Sequence, residues 1–338
     1  MQQLVIRSGL VLLLFFGSAG AIFAAENRSK TAQIAPGQQA TIINANDYLQ
    51  RYIDLARGKP AAEREALYAK YVYQPLLKLC GEGGEYYEFG KYNLIRPISN
   101  LEGLANEIAT MRQAQSFRMI QSALTKSAKL LPGPNTTVCV LAADPDVDYV
   151  RTDLHGVSGY TFGAGKILLQ VAPVAEWKQW LPYTVAHEYH HSAWTWERHG
   201  TQVEWTLLHS IIFEGKADAF AHLVFPNQTA PWVSTLTPDQ EAAVWQRMRP
   251  ELATTDFRVN QKFLFGREGV PKLAGYAIGY HIVESYLNTH PATTIARWTA
   301  LDEQQLLDSS GYGKVPPSQP HPESGSPQPV FAGLAGIQ

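Results

Sequence analysis

Through much of the chain, apolar residues recur at three- and four-residue intervals, the spacing of one face of a helix. Leu49, Tyr52, Ile53 and Ala56 follow Asn46 and Asp47, which can cap a helix that Gly58 ends. Leu67, Tyr71 and Val72 predict a second helix running toward Pro75. After a Gly-rich turn at 81–84 the longest stripe covers 101–131, with Leu104, Ile108 and Met111, then Phe117, Ile120, Leu124, Ala128 and Leu131. Such stripes are core, so 46–132 reads as an N-terminal helical region concerned with packing.

The period changes after Pro132, Gly133 and Pro134. Residues 138–142 and 167–171 are short apolar runs of strand type. The Gly-rich stretch between them, 155–166, superficially resembles a phosphate loop. Gly159 to Gly165 is one residue too long for that motif, however, and Ile167 stands where a Ser or Thr would hold magnesium, so the stretch predicts a hairpin. Helical patterns then resume. Residues 184–196 lack Gly and Pro, with Pro182 suited to a first turn. Residues 201–221 carry Trp205, Leu208, Ile211 and Ile212 on one face. Thr237, Pro238 and Gln240 read as a capping box, and a last helix runs through 275–287. The predicted class is α+β: mostly helical, with a small sheet or hairpin ahead of the 184–196 helix.

The ends read differently. Arg7, an apolar run from Leu10 to Phe16 and small residues to Ala25 make 1–25 a secretory signal peptide, cleaved after Ala24 or Ala25. The expected location is therefore secreted or periplasmic, with no stable membrane span after cleavage. Residues 26–45 are polar without periodicity and read as a linker; 311–338, rich in Pro, Ser and Gly, read as a disordered tail. Of 338 residues, 45 % are apolar and 17 % charged, which excludes wholesale disorder. A net charge of −2 provides no basic field for nucleic acid or anionic lipid. Cys80 and Cys139, an even count in an exported chain, are expected to pair.

The chemistry concentrates in His187-Glu188-Tyr189-His190-His191. Positions four apart on a helix lie one above the other, so His187 and His191 turn two imidazoles to one point with Glu188 beside it. That geometry binds zinc. A catalytic zinc takes a third protein ligand. Where an extended H-E-x-x-H-x-x-G-x-x-H pattern would have Gly and His, this chain has Trp194 and Glu197. Glu197 lies about 15 Å along the helix from His187, too far to share an ion. Glu214 is the stronger candidate, on a second helix able to pack against the first. Asp218, one turn on, could fix a ligand histidine's tautomer.

His-Glu-Tyr-His-His followed by Glu214-Gly-Lys-Ala-Asp218 resembles the gluzincin-type zinc metallopeptidases, in particular a bacterial family of predicted zinc-dependent proteases. That family is similar also in its Gly-rich hairpin before the motif and its Gly-Tyr-x-x-Gly-Tyr segment after it, here Gly275 to Tyr280. The resemblance covers roughly 138–290, within a zincin-like catalytic domain over 133–310. It implies hydrolysis of a peptide or protein substrate by a zinc-activated water, Glu188 serving as general base. Residues 167–171 are a candidate edge strand to take an extended substrate. An oxyanion donor is sought among Tyr276, Tyr280 and His281, with Tyr276 first and Tyr280 second. The same ligands would serve a non-catalytic zinc-binding envelope protein or a zinc hydrolase of a non-peptide amide. Glu188 favours an enzyme, and nothing in the sequence separates the two enzymes.

Overall fold

In a computed structural model the chain is described over residues 29–314, apart from 95, 199, 200 and 202. Residues 1–25, expected to be a signal peptide, and 315–338 of the expected tail lie outside the described residues, whereas 311–314 lie within them, with Tyr312 packed on Trp245. The class is α+β, as expected: a five-stranded sheet surrounded by helices, consistent with a zincin-like protease domain.

Residues 29–44 are not a linker. They form a hairpin, β1 (Ser29–Ala35) and β2 (Gln38–Asn44), turning at Gly37, whose φ of 74° is the left-handed conformation that glycine adopts without strain. In β2 the alternation of a half-buried strand was present: Ala40 and Ile42 are buried with Thr41 between them. Gln38 extends the pattern as a buried polar residue, donating to the Pro134 carbonyl at 2.7 Å. The strand's partner explains why composition hid it. β2 pairs in parallel with β3 (Thr136–Ala142), almost a hundred residues on.

Helices α1 (Asn46–Ala56) and α2 (Ala61–Tyr68) follow, and from α2 the helical path continues past Pro75 to Gly81. It does so through π-helical turns at Ala69–Tyr73 and Leu77–Gly81 on either side of the proline. Pro75 has no N–H for a regular helical bond, and the wider turns absorb that loss. Then come α3 (Leu101–Gln113) and α4 (Ser116–Leu130), the long predicted stripe broken at Gln115, which stands at φ 53°. A disulfide joins Cys80 to Cys139, with Cα atoms 6.0 Å apart. In the chain-entropy account a bridge across 59 residues contributes about 4 kcal/mol. One core runs from β2 and α1 into the C-terminal helices, so 46–132 and 133–310 are built around the same interior.

The sheet order is β1-β2-β3-β5-β4, where β4 is Val157–Gly163 and β5 is Lys166–Val171. β5 is parallel to β3 on one side and antiparallel to β4 on the other. The 167–171 run therefore lies inside the sheet, and the edge on that side is β4. A strand buried on both faces must be continuously apolar, whereas an edge strand beside a cleft tolerates Gly, Ser and Thr. That explains why the apolar run pointed to the wrong strand.

Helix α5 (Trp177–Glu197) packs across β4, α6 (Leu207–Val224) packs on α5, and α9 (Ala274–Thr289) packs on α6. Between α6 and α9 lie α7 (Pro238–Met248), opened by the predicted capping box, and α8 (Phe257–Phe265). The short α10 (Ile295–Ala300) and α11 (Glu303–Ser310) close the fold. α5 starts at Trp177, earlier than Pro182 suggested. The missing N–H and the ring fall against the exposed Lys178 turn, where a broken bond is open to water. No described helix is long and apolar enough to cross a membrane.

Candidate metal centre

α5 is buried along most of its length, and its motif residues divide between two jobs. Tyr189 and His190 serve the core. The Tyr189 hydroxyl donates to the Leu131 carbonyl at 2.8 Å, and the His190 ring stacks on Trp298 with its Nε2 3.2 Å from the Thr299 hydroxyl. Burial, followed by the charge of His191, holds His190 well below the usual imidazole range, so it is neutral.

His187 and His191 turn the other way, toward Glu214 on α6. His187 Nε2 lies 3.1 Å from Glu214 Oε2, His191 Nε2 lies 3.3 Å from the same oxygen, and the two nitrogens are 3.0 Å apart. A tetrahedral zinc with bonds of about 2.0–2.1 Å spaces its ligand atoms about 3.3–3.4 Å apart. The observed triangle is that size, so the donor set and its spacing fit zinc. Among the described residues this is the group of three metal-ligating side chains that converge. Glu197 stands apart, exposed near the end of α5.

The supports of the triangle are specific. Asp218, fully buried, accepts from His187 Nδ1 at 2.9 Å, from the Tyr183 hydroxyl at 3.3 Å and, on its other oxygen, from Trp232 Nε1 at 2.8 Å. This leaves His187 Nε2 free to face the metal point. The His191 ring lies flat on Phe213 at 3.9 Å. Glu214 and Asp218 bring two carboxylates to the two histidines, which suits a cation. Burial opposes ionisation of Glu214, yet the charge of His191 and hydrogen bonds from both histidines hold its carboxyl down to about 2. Burial likewise opposes charge on His187, but Asp218 and Glu214 together outweigh it and favour positive charge there.

Glu188 rests on the edge strand. The Thr161 hydroxyl donates to its Oε2 at 2.8 Å, and a side chain at Gly159 would occupy the space of its Cγ and carboxyl. Burial pushes the Glu188 carboxyl up, with His187 and His191 acting against the shift. A carboxylate so poised takes a proton more readily than one in water.

Two glycines of the sequence motifs prove to be packing devices. A Cβ on Gly215 would strike the backbone of Gly279, and one on Gly279 would strike the Ile211 carbonyl. α6 and α9 thus touch backbone to backbone at the Gly of Glu-Gly-Lys-Ala-Asp and the second Gly of Gly-Tyr-Ala-Ile-Gly-Tyr. That contact brings Tyr276 to the cleft holding His187, Glu188 and Glu214. Burial, then the Glu214 carboxylate, pushes the Tyr276 phenol well up, so it stays protonated. Tyr280 and His281 are directed elsewhere. The Tyr280 hydroxyl donates to Glu284 at 3.4 Å and His281 bonds Glu241 at 3.0 Å, and neither lines the cleft. Sequence reasoning missed Thr161, Gly159 and Tyr149, the last also lining the cleft from the short helix Asp148–Thr152. Nothing in the local pattern marks Tyr149. The Gly-rich character of β4, read as a turn, was the available signal for Gly159.

Residues 116–308 match a family model described as "Predicted Zn-dependent protease (DUF2268)". Two curated relatives from Bacillus subtilis (strain 168) are similar. The uncharacterized protein YjaZ is 30 % identical over 180 residues, 52 % of this chain and 68 % of the relative. The uncharacterized protein YjfC is 27 % identical over 145 residues, 39 % of this chain and 47 % of the relative. No solved structure matches. With the match covering more than half of its length, and with HExxH, Glu214 and Asp218 inside it, this chain belongs to the family of predicted Zn-dependent proteases.

Proposed function

We propose that the protein is an exported zinc peptidase that hydrolyses peptide bonds, with His187, His191 and Glu214 holding the metal. The observation that carries this reading is the carboxylate of Glu188 beside the ligand triangle on one side and the edge strand on the other. When bound by these three residues, a zinc ion would supply Lewis-acid polarisation of a carbonyl and would acidify a water. Glu188, raised by burial, accepts the proton of the attacking water and returns it to the leaving amine. Tyr276, kept protonated, donates to the oxygen that becomes negative in the transition state.

The edge favours a peptide over a non-peptide amide. β4 has no strand on its outer side among the described residues; the backbone N–H of Tyr86 donates to the Phe162 carbonyl near the strand's C-terminal end at 2.7 Å. An extended peptide adds its own backbone hydrogen bonds to the remainder. The Cys80–Cys139 bridge agrees with export to an oxidising compartment.

The test is Glu188→Gln in a metal-controlled digest. The amide keeps the shape and the Thr161 contact but cannot take the proton, so zinc should remain at one per chain while turnover falls to background. Full hydrolysis by that variant would remove Glu188 from the chemistry. Zinc retention with no chelator-sensitive hydrolysis by the unaltered protein would favour a non-catalytic zinc-binding role.

A further inference from the structure

Resting on the peptidase reading, we infer that the enzyme is an endopeptidase that selects internal bonds flanked by large apolar or aromatic side chains. The inference comes from the walls of the cleft, which encloses about 540 Å³. No Lys or Arg lines it among the described residues. Among the described residues its carboxylates are Glu188 and Glu214, and both are engaged, the first by Thr161 and the second by the two histidines. An enzyme that trims chain ends must meet the terminal carboxylate with a cation or the terminal ammonium with a free acid. Bringing either charge out of water without a partner costs several kcal/mol. This cleft offers neither partner, so a chain end in it is penalised and a neutral internal segment is not.

What the walls offer instead is apolar surface. Tyr149, Trp232 and Phe265 contribute rings to the interior, beside Leu264. Phe89 and Phe257 line the same cleft yet are 61 % and 65 % exposed. They come from different parts of the frame. Phe89 belongs to the segment Tyr87–Gly90 packed on β4, and Phe257 opens α8, which packs on α9. Exposed rings on both approaches to one apolar cleft mark a binding surface. A peptide laid along β4 turns alternate side chains toward such walls.

The experiment is a digest of two peptide libraries by the purified full chain. One has free ends, the other acetylated and amidated ends; cleavage sites are read by mass spectrometry with and without a chelator. We expect both libraries to be cut at equal rates, at internal bonds, with Phe, Leu, Met, Tyr and Trp enriched on the flanks and acidic residues depleted. Cleavage confined to free ends, or enrichment of charged flanks, overturns the inference and leaves the peptidase reading intact. Absence of any chelator-sensitive cleavage overturns the peptidase reading.

A second arm, independent of turnover, uses Glu188→Gln and the fluorescence of Trp205 and Trp232, both in the cleft wall. A blocked peptide with Phe and Leu at its centre should bind at least about tenfold tighter than the same peptide with Asp or Lys there, the scale on which an apolar pocket discriminates. Equal or reversed affinities overturn the inference. Phe257→Lys, an exposed site that the fold does not depend on, should shift preference toward acidic flanks; an unchanged profile counts against Phe257 as part of the binding wall.

Discussion

At the scale of single residues, Asp218 decides what His187 can be. Its two oxygens take bonds from His187, Tyr183 and Trp232 without any exposure to solvent. Asp218→Asn keeps the volume but removes the charge that fixes the ring, and zinc affinity should fall about 10- to 100-fold. Competition against a chromophoric chelator measures this, and an unchanged affinity would count against the support role. Tyr276 is a different case, because it lines the cleft beside the ligand triangle and is proposed as the oxyanion donor, not as a ligand. Tyr276→Phe should retain full zinc content and lose about 10²- to 10³-fold in kcat, whereas Tyr280→Phe, whose hydroxyl is turned to Glu284, should remain near normal. The reverse outcome would transfer the oxyanion role to Tyr280.

At the scale of elements, the site depends on how closely three helices approach. α5 contributes His187, Glu188 and His191, α6 Glu214 and Asp218, and α9 Tyr276. Gly215 and Gly279 set the α6–α9 distance. Gly279→Ala places a methyl against the Ile211 carbonyl and should cost about 1–3 kcal/mol of stability, the usual penalty of overpacking, while moving Tyr276 relative to Glu214. Denaturant titration reads the first effect and kcat the second. An alanine variant as stable and as active as the parent would mean that the helices can separate without consequence. These motif glycines were visible in the sequence, but their purpose was not: closeness of two backbones 64 residues apart, Gly215 and Gly279, is a property of packing.

At the scale of the whole molecule, the last helix is tied back to the metal helices by charge. Glu303, at the start of α11, lies 3.0 Å from His209 on α6. Burial raises its carboxyl, but His209 more than compensates by hydrogen bond and charge, holding it at about 2 against an ordinary 4.5. A depressed carboxylate stabilises the fold fully above its unfolded value, and that contribution disappears as pH falls through the folded one. The stability gap between the parent and Glu303→Gln should therefore be on the order of 2–3 kcal/mol near neutrality and should close between about pH 4.5 and 2. Denaturant midpoints across that range test it, and a gap that stays constant would show that the pair is not the source.

The sequence by itself singled out His187, His191 and Glu214, which the fold brings together, and Glu188 beside them. A helix converts a four-residue spacing into a shared direction, and a second acid on an apolar helix has few reasons to be there other than a partner. It determined the helical majority as well, because periodicity is local. The tertiary structure alone decided that β4 and not β5 is an edge, that residues 29–44 join the sheet, and that Tyr276 and not Tyr280 lines the cleft. β2 finds its partner almost a hundred residues away, and β4 is an edge only because no described strand pairs on its outer side. Tyr276 and Tyr280 share one helix face yet differ in what lies opposite them. Each of these outcomes is set by neighbours distant in the chain, which the pattern around a residue does not encode.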